Sequence, residues 1–228
     1  TELNGNIEID ILNAMEFDAS CLGNHEFDNG MDELARRLGN LNVPVVCANY
    51  SFKGSPLDGL VKPYVILEKA GKKIGIIGLL TDVTSVVDKD IAAQLSYRNP
   101  AEAANEYAKI LKVDQRCDLV ICLTHLGFDG EPYVDTELAA QTRNVDVIVG
   151  GHSHTMLKDL HNVYNLDGEP VTIVTDWKWG LNIGNLKVNF TPQRLYGKYL
   201  DLLPEKVFSY DGSWFPYPAY SDREGWAE

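Results

Sequence analysis

The sequence is short of the features that mark specialised architectures. No apolar run in its 228 residues approaches the ~18 that a membrane-spanning helix needs, so no span is expected. Cationic residues are scarce: 20 Lys plus Arg stand against 33 Asp plus Glu, a net charge of −13. That balance excludes a broad basic surface for nucleic acid or an anionic bilayer. Cys21, Cys47, Cys117 and Cys122 sit in apolar stretches without a Cys-x-x-Cys pair, which predicts buried free thiols rather than a disulfide framework. Repeats and low-complexity tracts are missing. Thr1-Glu2-Leu3-Asn4 has neither a basic n-region nor an apolar h-region, so no signal peptide is legible there. The expectation is a removed leader or a start inside a longer gene product. What remains is ordinary: 45% hydrophobic and 23% charged residues, enough to bury a core without staples.

Periodicity organises the chain. Asn4 to Met15 reads as a helix with Ile7, Ile11, Leu12 and Met15 on one face. A short buried strand follows at 18–22, then a helix carrying Met31, Leu34, Ala35 and Leu38 inward and stopping near Gly39. Strands are predicted at 43–50, 64–67 and 74–80, the last two joined by a glycine-containing hairpin. Asn99-Pro100-Ala101-Glu102 is a helix start, with an N-cap Asn, Pro at N1 and Glu at N3. That helix turns Ala103, Ala104, Tyr107, Ala108 and Leu111 inward. A strand at 119–123, a helix at 136–141 and a strand at 145–149 follow, and then strands alone at 158–164, 171–175 and 181–190. Alternating elements followed by antiparallel strands predict a layered α/β sandwich. His161 reads as a surface strand residue, and residues 191–228, with Trp214, Phe215, Tyr217, Tyr220 and Trp226, read as a linker or tail.

Three buried strands run into polar, glycine-flanked clusters. Asp18–Leu22 leads into Gly23-Asn24-His25-Glu26-Phe27-Asp28-Asn29-Gly30, and Leu119–Leu123 into Thr124-His125-Leu126-Gly127. Val145–Val149 leads into Gly150-Gly151-His152-Ser153-His154-Thr155. Singly, each has a plain explanation: a hydrogen-bonded loop histidine, a capped turn, or a pair at i, i+2 facing one side of an extended chain. Together they hold four of the five histidines at strand ends, where α/β sheets bind ligands. Asn24, His125, His152 and His154 would offer an amide oxygen and imidazoles, donors suited to borderline divalent metals.

These clusters resemble the last three motifs of the calcineurin-like metallophosphoesterases. Gly23–Gly30 in particular is similar to the 5′-nucleotidase branch, and the resemblance covers roughly residues 1–190. It implies a layered α/β/β/α sandwich of mixed sheets, with 1–190 a catalytic domain lacking its first strands and a nucleotide-gripping partner domain missing. It implies metal-dependent hydrolysis of phosphate esters in nucleoside monophosphates, UDP-sugars or 2′,3′-cyclic nucleotides, and a periplasmic or cell-surface location. Two divalent ions (Zn, Mn, Co, Mg or Ca) would be held, the second by Asn24, His125 and His152, the first by His154. His25 would contact the phosphate or protonate the leaving oxygen, with Asp28 orienting its ring. The family's upstream Asp-x-His and Gly-Asp, which supply the first metal's main ligands and the bridging carboxylate, have no counterpart ahead of Gly23. Weak or no activity of this chain is therefore expected. Asp82 is the nearest acidic candidate, against a role as a loop cap. At Thr175–Gly180 the family more often has Gln and a glycine-rich turn; Trp177 and Trp179 are expected to pack under the final strands. The competing reading is a non-catalytic module holding a single Zn²⁺ through Asn24, His125, His152 and His154.

Overall fold

In the computed structural model, which describes residues 6–84, 87, 89–130, 133–190 and 206–211, the apolar runs of the sequence become two packed sheets of six and three strands, alongside two separate two-stranded pairs. The chain passes through α1 (Asn6–Met15), β1 (Ser20–Cys21), α2 (Met31–Leu38), β2 (Val45–Val46), β3 (Tyr50–Ser51), β4 (Val61–Lys62), β5 (Tyr64–Lys69) and β6 (Lys72–Leu80). It continues through α3 (Lys89–Ala92), β7 (Ser96–Tyr97), α4 (Pro100–Lys109), β8 (Leu119–His125), α5 (Asp135–Gln141) and β9 (Val147–Val149). Strands β10 (His161–Tyr164), β11 (Pro170–Val174), β12 (Asn185–Phe190) and β13 (Lys206–Asp211) complete it.

The larger sheet has the order β10-β11-β9-β8-β6-β5. Its inner neighbours are parallel and its two outer pairs antiparallel. The inner strands are nearly continuous in apolar residues because both faces are covered. The smaller sheet is parallel, in the order β1-β2-β4. Gly78 is where the two sheets meet: a Cβ there would overlap the Val46 carbonyl oxygen. The Ala48 N–H donates to the Gly78 carbonyl at 2.7 Å across the same seam. One step on, the buried Asn49 side chain replaces a strand neighbour. Its Nδ2 donates to Leu80 O at 2.6 Å and its Oδ1 accepts from Leu80 N at 2.9 Å.

Helices α4 and α5 cover the outer face of the larger sheet. The Asn99 side chain caps α4 by accepting from the Ala101 and Glu102 N–H groups at 2.8 and 3.2 Å. Ala103, Ala104, Ala108 and Leu111 then pack with Ile77, Val120, Cys122, Leu138 and Ile148 in one core. A second core gathers Leu22, Phe27, Met31, Leu34, Leu57, Leu80 and Val83 under α2 and the smaller sheet. The result is the expected α/β/β/α layering; the larger sheet is mixed as expected, whereas the described strands of the smaller one are all parallel.

Several details depart from the sequence expectations. Helix α1 has no buried residue, and Ile7, Ile11 and Met15 are 49%, 51% and 58% exposed. Ile9 and Leu12 are half-buried and, with Glu8, line a cavity together with Cys21, Leu34 and Leu38. The strand expected at 158–164 begins at His161, and the one at 181–190 begins at Asn185. Strand β12 pairs with β13; the remainder of the 191–228 segment read as a tail lies outside the described residues. Cys47, Cys117 and Cys122 are buried free thiols, and Cys21 is half-buried.

Candidate active site

Three strand carboxyl ends finish at one edge of the molecule. Register sets two of them: β6 and β8 pair so that Leu80 faces His125, and β8 and β9 so that Leu123 faces Val149. His125 is the last residue of β8, and its carbonyl accepts from Thr81 N at 3.0 Å, so ladder hydrogen bonds fix its backbone. The β1 exit passes directly against its ring. A Cβ on Gly23 would lie 3.0 Å from His125 Cε1 and 2.7 Å from Glu26 Oε2, so any side chain there would have to displace both. The Gly23 N–H donates to that Glu26 carboxylate, closing a turn over Asn24–Phe27 that the buried Phe27 anchors in the second core.

This turn places Asn24 Oδ1 2.9 Å from His125 Nε2. The His125 and His152 rings lie 4.8 Å apart between centroids. Burial, then the neighbouring His152, His25 and His154, push the His125 imidazole down to about 4. It is therefore neutral near pH 7, the form that ligates metal. His152 and His154 both occupy left-handed backbone, φ 81° and 54°, which non-glycine residues enter rarely and mostly at functional sites. The extended chain assumed for this pair is thus not present, and His154 is exposed. Hydroxyls hold the loop in place. Phe128 N donates to Ser153 Oγ at 2.9 Å, Ser153 and Thr155 share a 2.8 Å hydrogen bond, and Thr155 Oγ1 donates to Asp129 at 3.0 Å.

His25 stands on the outer side of the turn, its Nδ1 3.1 Å from Asp28 Oδ2, with side chains 79% and 50% exposed. The carboxylate three residues on can orient the ring toward a ligand arriving from solvent. The structure thus brings Asn24, His125 and His152 together, sets His25 with Asp28 beside them, and leaves His154 on the rim. Among the described residues no three His, Cys, Asp or Glu side chains converge as a metal-holding group; the trio depends on the Asn24 amide oxygen. Two imidazoles and an amide oxygen suit a borderline divalent ion, and among the described residues no carboxylate joins them to balance its charge.

A sequence model of the calcineurin-like phosphoesterases matches residues 6–156. The chain belongs to the calcineurin-like phosphoesterase family. It is 34% identical over 196 residues to a 5′-nucleotidase of Bos taurus, covering 78% of this chain and 33% of that protein. It is 32% identical over 199 residues to a snake venom 5′-nucleotidase of Naja atra, covering 80% and 36%. Among solved structures, a 5′-nucleotidase precursor from Thermus thermophilus superposes with a TM-score of 0.78 at 29% identity, over 91% of this chain and 41% of that one. The chain spans about a third of the length of the curated relatives it matches.

Within this phosphoesterase frame other candidates resolve differently. Asp82 accepts from Thr84 N and Oγ1 at 3.0 and 2.6 Å, a local loop cap. The Asp-x-His spelling at Asp159-Leu160-His161 leads into β10 rather than following a strand, and His161 packs edge-on against Phe128. The tryptophans do not pack under the final strands as expected: Trp177 is 38% and Trp179 77% exposed. Left-handed backbone at both, φ 71° and 62°, turns the rings outward, where Lys178 Nζ lies 3.9 Å from the Trp179 ring centroid. Sequence reasoning passed over Asp135, an acid in the first turn of α5, where acids are common on exposed helices. Nothing local in the sequence signals that this one is buried.

Proposed function

We propose that this protein is a metal-dependent phosphoesterase of the 5′-nucleotidase type, acting on nucleoside monophosphates, UDP-sugars or 2′,3′-cyclic nucleotides. The observation that carries the reading is the convergence of Asn24 Oδ1 and His125 Nε2 at 2.9 Å, with the His152 ring at 4.8 Å and the His25–Asp28 pair alongside. Asn24, His125 and His152 would hold one divalent ion, and His154 would contribute to a second. Such ions supply charge neutralisation at the phosphoryl oxygens and an activated water. His25 hydrogen-bonds the substrate phosphate from its exposed position and delivers a proton to the leaving oxygen, while Asp28 keeps its ring in line. The neutral His125 would ligate in the tautomer that leaves Nε2 unprotonated, its proton then on Nδ1, while the Asn24 amide oxygen offers lone pairs as it stands. A further domain gripping the nucleotide, and a periplasmic or cell-surface setting, belong to the same proposal; the snake venom origin in the Naja atra relative's name supports the second.

Titration of the 228-residue chain with Zn²⁺ or Mn²⁺, alongside hydrolysis of AMP, tests this. Binding should depend on Asn24, His125 and His152. Turnover should be weak, because among the described residues no carboxylate joins the two imidazoles, and His25→Ala should lower it by about 10²-fold or more with metal binding intact. Divalent binding indifferent to His125→Ala and His152→Ala overturns the proposal. A closed structural zinc site is told apart by Asn24→Ala, which would then lower the melting temperature sharply; the catalytic reading expects almost no shift.

A further inference from the structure

Beneath the histidines lies a group that the proposed chemistry does not use. Asp135 is fully buried. Thr124 Oγ1 donates to its Oδ1 at 2.7 Å, while Oδ2 has no hydrogen-bond partner among the described residues. That oxygen lies against Gly150, where a Cβ would overlap it. The Asp135 backbone N–H also donates to the Gly127 carbonyl at 2.8 Å. One residue therefore touches the chain immediately before His125, the loop just after it, and the glycine that opens the loop to His152. Leaving a buried carboxyl oxygen unpaired is unfavourable, so a purely structural site would sooner hold an apolar side chain.

We propose that Asp135 is a positioning residue that locks the exits of β8 and β9 together, holding the His125 and His152 rings at ligating separation. The Thr124 hydroxyl ties the carboxyl to β8, and Gly150 seats its second oxygen under the β9 exit. Burial pushes the carboxyl up to about 7, so near neutrality much of it carries no charge and the site tolerates it. The inference rests on the phosphoesterase reading only where it assigns metal to the two histidines; the ring geometry is independent of that assignment.

The test has a metal-free arm and a metal arm. In metal-free protein, nuclear Overhauser contacts between the His125 and His152 ring protons should persist in Asp135→Asn, which keeps the shape and the acceptor for Thr124. They should weaken or vanish in Asp135→Ala and Thr124→Val. Gly150→Ala should disrupt them too, yet add nothing further in the Asp135→Ala background, where its methyl has room. In Zn²⁺ titrations, Asp135→Ala should bind about 10–100-fold more weakly, the usual loss for an outer-shell partner, and Asp135→Asn like the parent. Retention of ring contacts and zinc affinity in Asp135→Ala, whatever its melting temperature, overturns the inference. Should that variant not fold, Thr124→Val and Gly150→Ala carry the same expectation and the same refutation. Should the parent bind no zinc, the phosphoesterase reading falls and the ring contacts alone decide the role of Asp135.

Discussion

In the larger sheet, β6 and β8 run for nine and seven residues, and α4 and α5 press a continuous apolar layer onto them. In the smaller sheet β1, β2 and β4 are two residues each, and α1 above it buries no residue at all. The candidate site straddles the two. His125 and His152 stand on the well-packed sheet; Asn24 and His25 stand on the thin one, fixed by the turn at Asn24–Phe27 and by Phe27 in the second core. The imidazole pair is accordingly preformed on a stable base, whereas the Asn24 amide oxygen and the His25 ring, the proposed proton donor, are set by a short turn. Under the proposed function, the denser packing supports the two imidazoles and the sparser packing lies on the side from which a substrate would approach.

Four substitutions probe that contrast. Ile148→Ala, deep in the larger core, should lower the free energy of unfolding by about 3 kcal/mol in a urea titration, a cavity-type loss. A loss no greater than that of a surface change would break the comparison. Gly78→Ala, which drives a methyl into the Val46 carbonyl, should destabilise by about 2 kcal/mol through overpacking where the sheets meet. Near-neutral behaviour there would show that the smaller sheet gives way easily.

Acid lability sharpens the picture on the larger sheet. Hydrogen bonds from Lys72 Nζ and Lys73 N, the lysine first, hold the Asp118 carboxyl below its ordinary range. A depressed folded value means that this stability is present above the ordinary carboxylate range and lost as pH falls through the folded value. Asp118→Asn should remove that part of the fall in urea midpoint between about pH 6 and about pH 3. The effect should stay below about 1 kcal/mol, as for partly exposed pairs. An unchanged acid profile would mean that Asp118 contributes nothing. The smallest effect belongs to Ile11→Ala on the open face of α1, within about 0.5 kcal/mol. A larger loss would show that this face is covered in solution and that the two sheets are less unequal than they stand.

The exits themselves were legible because their residue types cluster after apolar runs: Asn24, His25, His125, His152 and His154 all follow predicted strands. The α4 start at Asn99 and the inward face of α2 were likewise local, written in caps and in 3.6-residue spacing. Other features were not local. The outward face of α1 looks, in sequence, like any buried helix face, because periodicity gives a stripe but not what covers it. The backbone of His152 and His154 could not be read from an i, i+2 spacing, since the left-handed turns arise from the Ser153, Thr155 and Asp129 hydrogen bonds. The exposure of Trp179 follows from the same kind of backbone choice.

By itself the sequence determined which strands end in chemistry and what donors they carry, because those donors sit next to the elements that present them. Only the tertiary structure decided which donors meet. Asn24 and His125 lie 101 positions apart and come within hydrogen-bond reach because sheet pairing and the Gly23 turn level their strand ends. Asp135 acquires its place for the same reason: its partners Thr124 and Gly150 belong to two other elements, and no local pattern encodes a contact that packing creates.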